Sequence, residues 1–236
     1  MAYELYYWPG IQGRGEFVRL ALEDAGARYE DVARQKGGMP KLMRLLDDAG
    51  AADSPFAPPF LKSGRMLIAQ TANILLYLGE KHALAPKNER GRFFVNQLQL
   101  TIADAVAEAH DTHHPVASSL YYDDQKREAK RAAHHFTKER IPKFLGYFET
   151  VLESSGGPFL LGRRISYADL SLFQLVEGLR YAFPRNMARA EKKLRRIEPL
   201  CERIATRPRI ADYLASDRRL PFNENGIFRH YPELDE

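Results

Sequence analysis

The sequence predicts an α/β unit followed by an all-helical one. Residues 1–82 alternate strand-like and helix-like apolar spacing, and from residue 90 onward only helical runs remain. Between them, Leu84-Ala85-Pro86-Lys87-Asn88 sets a proline among polar residues and reads as a linker. We therefore expect one domain over 1–82, a linker over 83–89 and an all-helical domain over 90–236. At 236 residues, 44% hydrophobic and 28% charged, the chain can fill one sizeable core or two smaller ones.

Residues 2–8 are rich in aromatics and predict a short strand, which Pro9, Gly10 and Gly13 break. From Glu16, the residues Phe17, Leu20, Ala21 and Ala25 recur at helical spacing, and Gly26 suits a C-terminal cap. Residues 27–32 predict a second strand, and residues 40–46 a short helix with Leu42, Leu45 and Leu46 on one side. A loop is expected over 47–58. Phe60-Leu61 and Met66-Leu67-Ile68 predict a hairpin that turns at Ser63-Gly64. Thr71 is expected to cap a helix whose Ile74, Leu75 and Leu78 face one way. Beyond the linker, helices are expected over 90–113, 125–153 and 167–182, with two shorter ones near Pro199 and Pro208, both suited to a first turn. There is no internal repeat and no low-complexity tract.

Composition excludes several classes of function. The net charge of +4 is spread over 35 basic and 31 acidic residues without a long basic stripe, so no nucleic-acid partner is expected. The single cysteine, Cys201, rules out an intrachain disulfide framework and fits a reducing, cytoplasmic setting. No stretch approaches the roughly eighteen apolar residues of a membrane helix, and the start lacks a signal-peptide pattern, so no membrane partner is expected.

Residues 1–53 contain no Ser, Thr or Cys, so only tyrosine offers a side-chain hydroxyl near the first strand. Tyr7-Trp8-Pro9 is followed by Gly13-Arg14-Gly15-Glu16. Ala57-Pro58-Pro59-Phe60-Leu61 precedes Gln70-Thr71, which opens an apolar helical run. Asp104 lies in the first long helical run, and Ser166-Tyr167-Ala168-Asp169 has the spacing of a capping box. Together these motifs resemble the glutathione transferase family, its tyrosine-type classes and the sigma class especially, over almost the whole chain. The resemblance implies a thioredoxin-like α/β N-terminal domain joined to an all-α domain, in a cytosolic homodimer with glutathione as co-substrate.

It also implies roles. Tyr7 donates its hydroxyl to the glutathione thiolate, and Arg14, at a helix start that favours anions, supports it unless it is a solvated surface arginine. Seven residues separate Tyr7 from Arg14 where most tyrosine-type members have six, so one residue is inserted in the turn. Pro59 is the cis proline, and Pro58 before it offers glutathione a carbonyl but no N–H. Gln70 and Thr71 bind the γ-glutamyl carboxylate, Lys41, with Lys36 in the same region, is the candidate for the glycyl carboxylate, and Asp104 reaches the neighbouring subunit's site. Trp8, Ile11, His110, His114 and Tyr122 line the electrophile pocket, although Tyr121 and Tyr122 can equally be surface aromatics. The implied activity joins glutathione to small hydrophobic electrophiles. The alternatives are a glutathione-dependent isomerase or peroxidase, or a non-catalytic ligand carrier.

Other features have plainer readings. His110, His113 and His114 share a helix face beside Asp111, but neighbours on one helix do not close a tetrahedral site, so no metal is expected. Lys192, Lys193, Arg195 and Arg196 read as a solvated basic run on a helix, Cys201 as packed and Ser166 with Asp169 as a helix-start device. The tail from Phe222 to Tyr231, with Phe228 and Tyr231, is expected to fold back over the pocket.

Overall fold

The computed structural model describes residues 2–47 and 54–236, so part of the loop expected at 47–58 lies outside the described residues. Four strands, β1 (Tyr3–Tyr6), β2 (Tyr29–Asp31), β3 (Phe60–Ser63) and β4 (Met66–Ala69), form one sheet in the order β2-β1-β3-β4. β1 runs parallel to β2, which requires the crossover that α1 (Gly15–Ala25) makes, and antiparallel to β3. α1 stops at Gly26, whose φ of 62° is open to glycine at no steric cost. The β3–β4 hairpin turns at Gly64-Arg65, because Ser63 still pairs with Met66. α2 (Gly38–Asp47) and α3 (Thr71–Lys81) complete this part.

Alternation along the strands assigns the two faces. Leu5, Leu61 and Ile68 point into the main core with Phe17, Leu20, Leu75 and Leu78 from α1 and α3, while Tyr6 and Phe60 point the other way against Leu42 of α2. Each fully buried leucine contributes roughly 1.5–3 kcal/mol. The main core continues without interruption into the helices that follow.

Those helices are α4 (Glu89–Asp111), α5 (Lys126–His135), α6 (Ile141–Ser154), α7 (Tyr167–Ala182), α8 (Pro184–Ala190), α9 (Ile197–Ala205) and α10 (Pro208–Leu214). The single run expected over 125–153 is broken by a π-helical segment at Phe136–Arg140, just ahead of Pro142. Proline lacks an N–H and its ring collides with the carbonyl four residues back, so the ladder widens there. α8 is an addition to the expected set, a seven-residue helix with Pro184 in its first turn. The basic run at 192–196 is a turn and connector rather than a helix face. Glu149 of α6 accepts the backbone N–H groups of Arg195, Arg196 and Ile197 there and so caps α9.

Cys201 is buried, and that burial pushes its thiol up to about 12. No helix among the described residues is long and apolar enough to cross a membrane.

The start of α7 is held by Asp169, which is fully buried and accepts from the Ser166 N–H at 2.8 Å, the Ser166 hydroxyl at 2.7 Å and the Leu160 N–H at 2.7 Å. Asp169→Ala leaves these buried donors unpaired and is expected to lower the unfolding free energy by about 3 kcal/mol, read from urea denaturation.

Candidate functional site

Sheet register brings three of the expected residues together. Tyr6 pairs with Phe60, and Phe60 with Ala69, so the three stand in one row across β1, β3 and β4. One residue further in the same direction lie Tyr7, Pro59 and Gln70. The Pro58-Pro59 bond is cis, and Pro58, half-buried, offers only its carbonyl.

Gln70 adopts φ 70° and ψ 124°, a region that costs a non-glycine residue of order 1–3 kcal/mol and clusters at functional sites. It stands in the capping position of α3 that was expected of Thr71. Thr71 is already the first helical residue, and a capping side chain must come from the non-helical residue before. Its hydroxyl is buried and has no partner. An unpaired hydroxyl and the free N–H groups of a helix start therefore face the same end of the sheet as Tyr7.

Tyr7 is 4% exposed, and its ring lies against the turn that follows. A Cβ at Gly13, whose φ is +47°, or at Gly15 would overlap that ring, so both positions must be glycine. The Arg14 N–H donates to the Tyr7 hydroxyl oxygen at 2.8 Å. That leaves the phenolic proton free to be given elsewhere. Burial raises the phenol's pKa, and the Arg14 N–H together with the charges of Arg14 and Arg19 lowers it by less, so Tyr7 stays protonated at neutral pH. Arg14 thus supports Tyr7 through its backbone amide as well as its charge.

Sequence reasoning missed Arg19. This fully buried guanidinium sits 5.8 Å from the centroid of the Tyr7 ring. Its Nε donates to Asp31 at 2.7 Å and its Nη1 to Glu16 at 3.1 Å. The available signal was Glu16 and Arg19 three apart in an apolar helix, a spacing that also describes ordinary surface pairs.

The remaining candidates are dispersed. Lys41 is exposed on α2; Glu4 lies below the usual carboxyl range chiefly through the Tyr6 hydroxyl, with the charge of Lys41 a smaller influence. Asp104 is exposed on the outer face of α4. Trp8 is 36% exposed and Ile11 half-buried beside it in the turn. His110 stacks on His114 at 4.9 Å, and burial holds both rings below the usual histidine pKa, with the charge of Arg14 acting further on His110. Among the described residues, no group of three His, Cys, Asp or Glu is arranged to hold a metal ion. Tyr122 is taken up by the tail: its ring stacks on Tyr231 at 3.8 Å and its hydroxyl donates to Glu233 at 2.8 Å. Phe228 packs in the core against Gly178 rather than over an open cleft.

Residues 110–217 match the family model described as glutathione S-transferase, C-terminal domain. The chain is 28% identical to glutathione S-transferase P 1 of Xenopus laevis over 92% of this chain and 93% of that one. It is also 28% identical to glutathione S-transferase P 10 of Caenorhabditis elegans, over 89% and 90%. Among solved structures, the Pi-class glutathione S-transferase of Onchocerca volvulus superposes with a TM-score of 0.73 at 23% identity, over 96% of this chain and 99% of that one. Prostaglandin synthase D of Nilaparvata lugens superposes at 0.72 and 19% identity, over 94% and 100%.

His113 ties α4 to the tail, its Nε2–H donating to the Ile227 carbonyl at 2.8 Å in a site where the ring is 1% exposed. Burial pushes its pKa from 6.5 down to about 3. Between those values the unfolded chain binds a proton that the folded chain refuses, so stability falls as pH drops through this window. His113→Gln keeps a donor and loses the titration. The urea midpoint of that variant is expected to vary less with pH between 6.5 and 4 than that of the wild type.

Proposed function

We propose that the chain, which is similar to glutathione S-transferases over most of its length, is a member of that family and joins the glutathione thiolate to small hydrophobic electrophiles, with Tyr7 stabilising the thiolate. The supporting observation is the convergence of Tyr7, Pro59 and Gln70 at one end of the sheet, with the Tyr7 proton left free by the Arg14 amide bond. A cysteine-like thiol has a pKa of about 8.5, and bringing it near 7 takes about 2 kcal/mol of preferential thiolate stabilisation. One O–H donor to an ionised acceptor is worth roughly 1.5–3 kcal/mol, so a single phenol suffices. Its raised pKa serves this role, since a phenolate could not donate and would repel the sulfur.

In the reaction the thiol proton leaves to solvent. A thiolate lone pair then forms the carbon–sulfur bond as the leaving group departs with its electrons, and proximity supplies the rest. Gln70, the unpaired Thr71 hydroxyl and the first N–H groups of α3 receive the γ-glutamyl carboxylate. The Pro58 carbonyl accepts from the cysteinyl unit, and its missing N–H forgoes one hydrogen bond of about 1 kcal/mol. Lys41 is the cation for the glycyl carboxylate. Trp8, Ile11, His110 and His114 are the candidates for the electrophile side, with the charge of Arg14 acting on His110.

We read the protein as a homodimer. Phe93 and Leu100 on α4 are 68% and 50% exposed, and Asp104 follows on the same stripe at helical spacing. Phe56 is 94% exposed and Met66 46%. Such large apolar side chains ask for a cover, and a second copy would also bring Asp104 to its neighbour's site.

Tyr7→Phe is expected to raise the pKa of bound glutathione by about one to two units and to lower kcat/KM at neutral pH by about ten- to a hundredfold, read from the ultraviolet thiolate band and initial rates. Wild type that binds glutathione with no pKa shift would point to a carrier instead. Phe93→Glu with Leu100→Glu is expected to halve the mass seen by sedimentation.

A further inference from the structure

The turn from Tyr7 to Arg14 sends one polar side chain inward, that of Gln12. Gln12 is only 5% exposed. Its Nε2 donates to the Leu220 carbonyl at 2.5 Å, and its Oε1 accepts from Gln174 Nε2 of α7 at 2.8 Å. Its backbone carbonyl accepts from Arg19 Nη1 at 3.2 Å and from the Glu16 N–H at 3.0 Å. Arg219 closes the ring, donating to Glu16 at 2.5 Å and to Gln174 Oε1 at 3.0 Å, while the Tyr213 hydroxyl donates to Glu16 at 2.6 Å. A separate tie lies at the surface, where Asn223 Nδ2 donates to the Gly10 carbonyl at 2.9 Å.

We propose that Gln12 is a positioning residue for Tyr7, through which the chain segment 217–223 fixes the turn that presents the Arg14 amide to the phenol. The proposal rests on the transferase reading above for its link to thiolate chemistry.

The physical case is one of mobility and complementarity. Gly10, Gly13 and Gly15 surround the Arg14 amide, and glycine loses more backbone freedom on folding than any other residue. Glycine is required at positions 13 and 15 by the Tyr7 ring, so rigidity must come from elsewhere in the turn. Gln12 is the side chain inside the turn with a tie to both the helical part and the tail. A carboxamide offers a donor and an acceptor about 2 Å apart on one planar group, and the Leu220 carbonyl on one side and the Gln174 N–H on the other take up both. Burial makes each of these bonds an all-or-none matter, since breaking one strands a polar atom away from water.

Two variants of the full chain test this. Gln12→Met keeps the length and removes both side-chain bonds; Gln174→Glu keeps the acceptor for Arg219, removes the donor to Gln12 Oε1, and decides the matter should the first variant misfold. Exchange of the Arg14 amide, followed by NMR without glutathione, reads the turn directly. It is expected to speed up about tenfold or more in Gln12→Met and by a smaller factor in Gln174→Glu, which leaves the bond to Leu220 in place. The pKa of bound glutathione is expected to rise by about one unit in Gln12→Met, with kcat falling more than KM rises. Folded variants whose Arg14 amide exchanges at the wild-type rate would overturn the proposal. A wild type without a thiolate shift, in which Gln12→Met still speeds Arg14 exchange, would overturn the transferase reading and uphold the coupling.

Discussion

The hydrogen bond from the Arg14 amide to the Tyr7 oxygen is the interaction to which the rest of the structure is fitted. It occupies an acceptor position on the phenol and leaves the hydroxyl proton for another partner. Everything around it limits movement: two glycines admit the ring, α1 begins at the residue after the donor, and a buried guanidinium lies near the aromatic face. A phenol placed in this way would need no base for the role proposed above, which is to hold a charge on a thiolate sulfur.

The buried charges beneath that turn have a cost that position justifies better than stability does. Taking Arg19, Glu16 and Asp31 out of water carries a desolvation penalty that their mutual attraction only partly offsets, and packed hydrophobic residues of similar volume often do as well or better. What such residues cannot supply is direction. Each polar atom accepts a partner along a narrow range of angles, and so the network selects one arrangement of α1, β2 and α10 relative to the turn.

Much of this was legible in the sequence. The order of strands and helices, the hairpin, the Gly26 cap and the Ser166–Asp169 box follow from local rules of period and capping, and local rules are what a sequence displays. The near misses are places where backbone detail decides. Thr71 carries a good capping side chain but starts the helix itself, and the proline at 142 widens a helix that apolar spacing alone treats as continuous. At the site, Tyr7 was visible because the first fifty-three residues offer no other kind of hydroxyl. Gln12 was invisible, and Arg19 showed only an ordinary spacing to Glu16, because their partners at Asp31, Gln174 and Leu220 are remote in sequence and no spacing rule links them. The contacts of Tyr122 were hidden for the same reason, its ring and hydroxyl meeting a tail more than a hundred residues away.

The main hydrophobic core runs unbroken from Leu5 on the sheet to Leu234 near the end of the chain. A boundary drawn at the linker therefore separates two stretches of sequence without separating two packing units. Chimaeras that exchange either part with that of a relative would have to match a shared interior, side chain by side chain. In this chain, the sheet-bearing part and the helical part must evolve as a single alloy rather than as interchangeable modules.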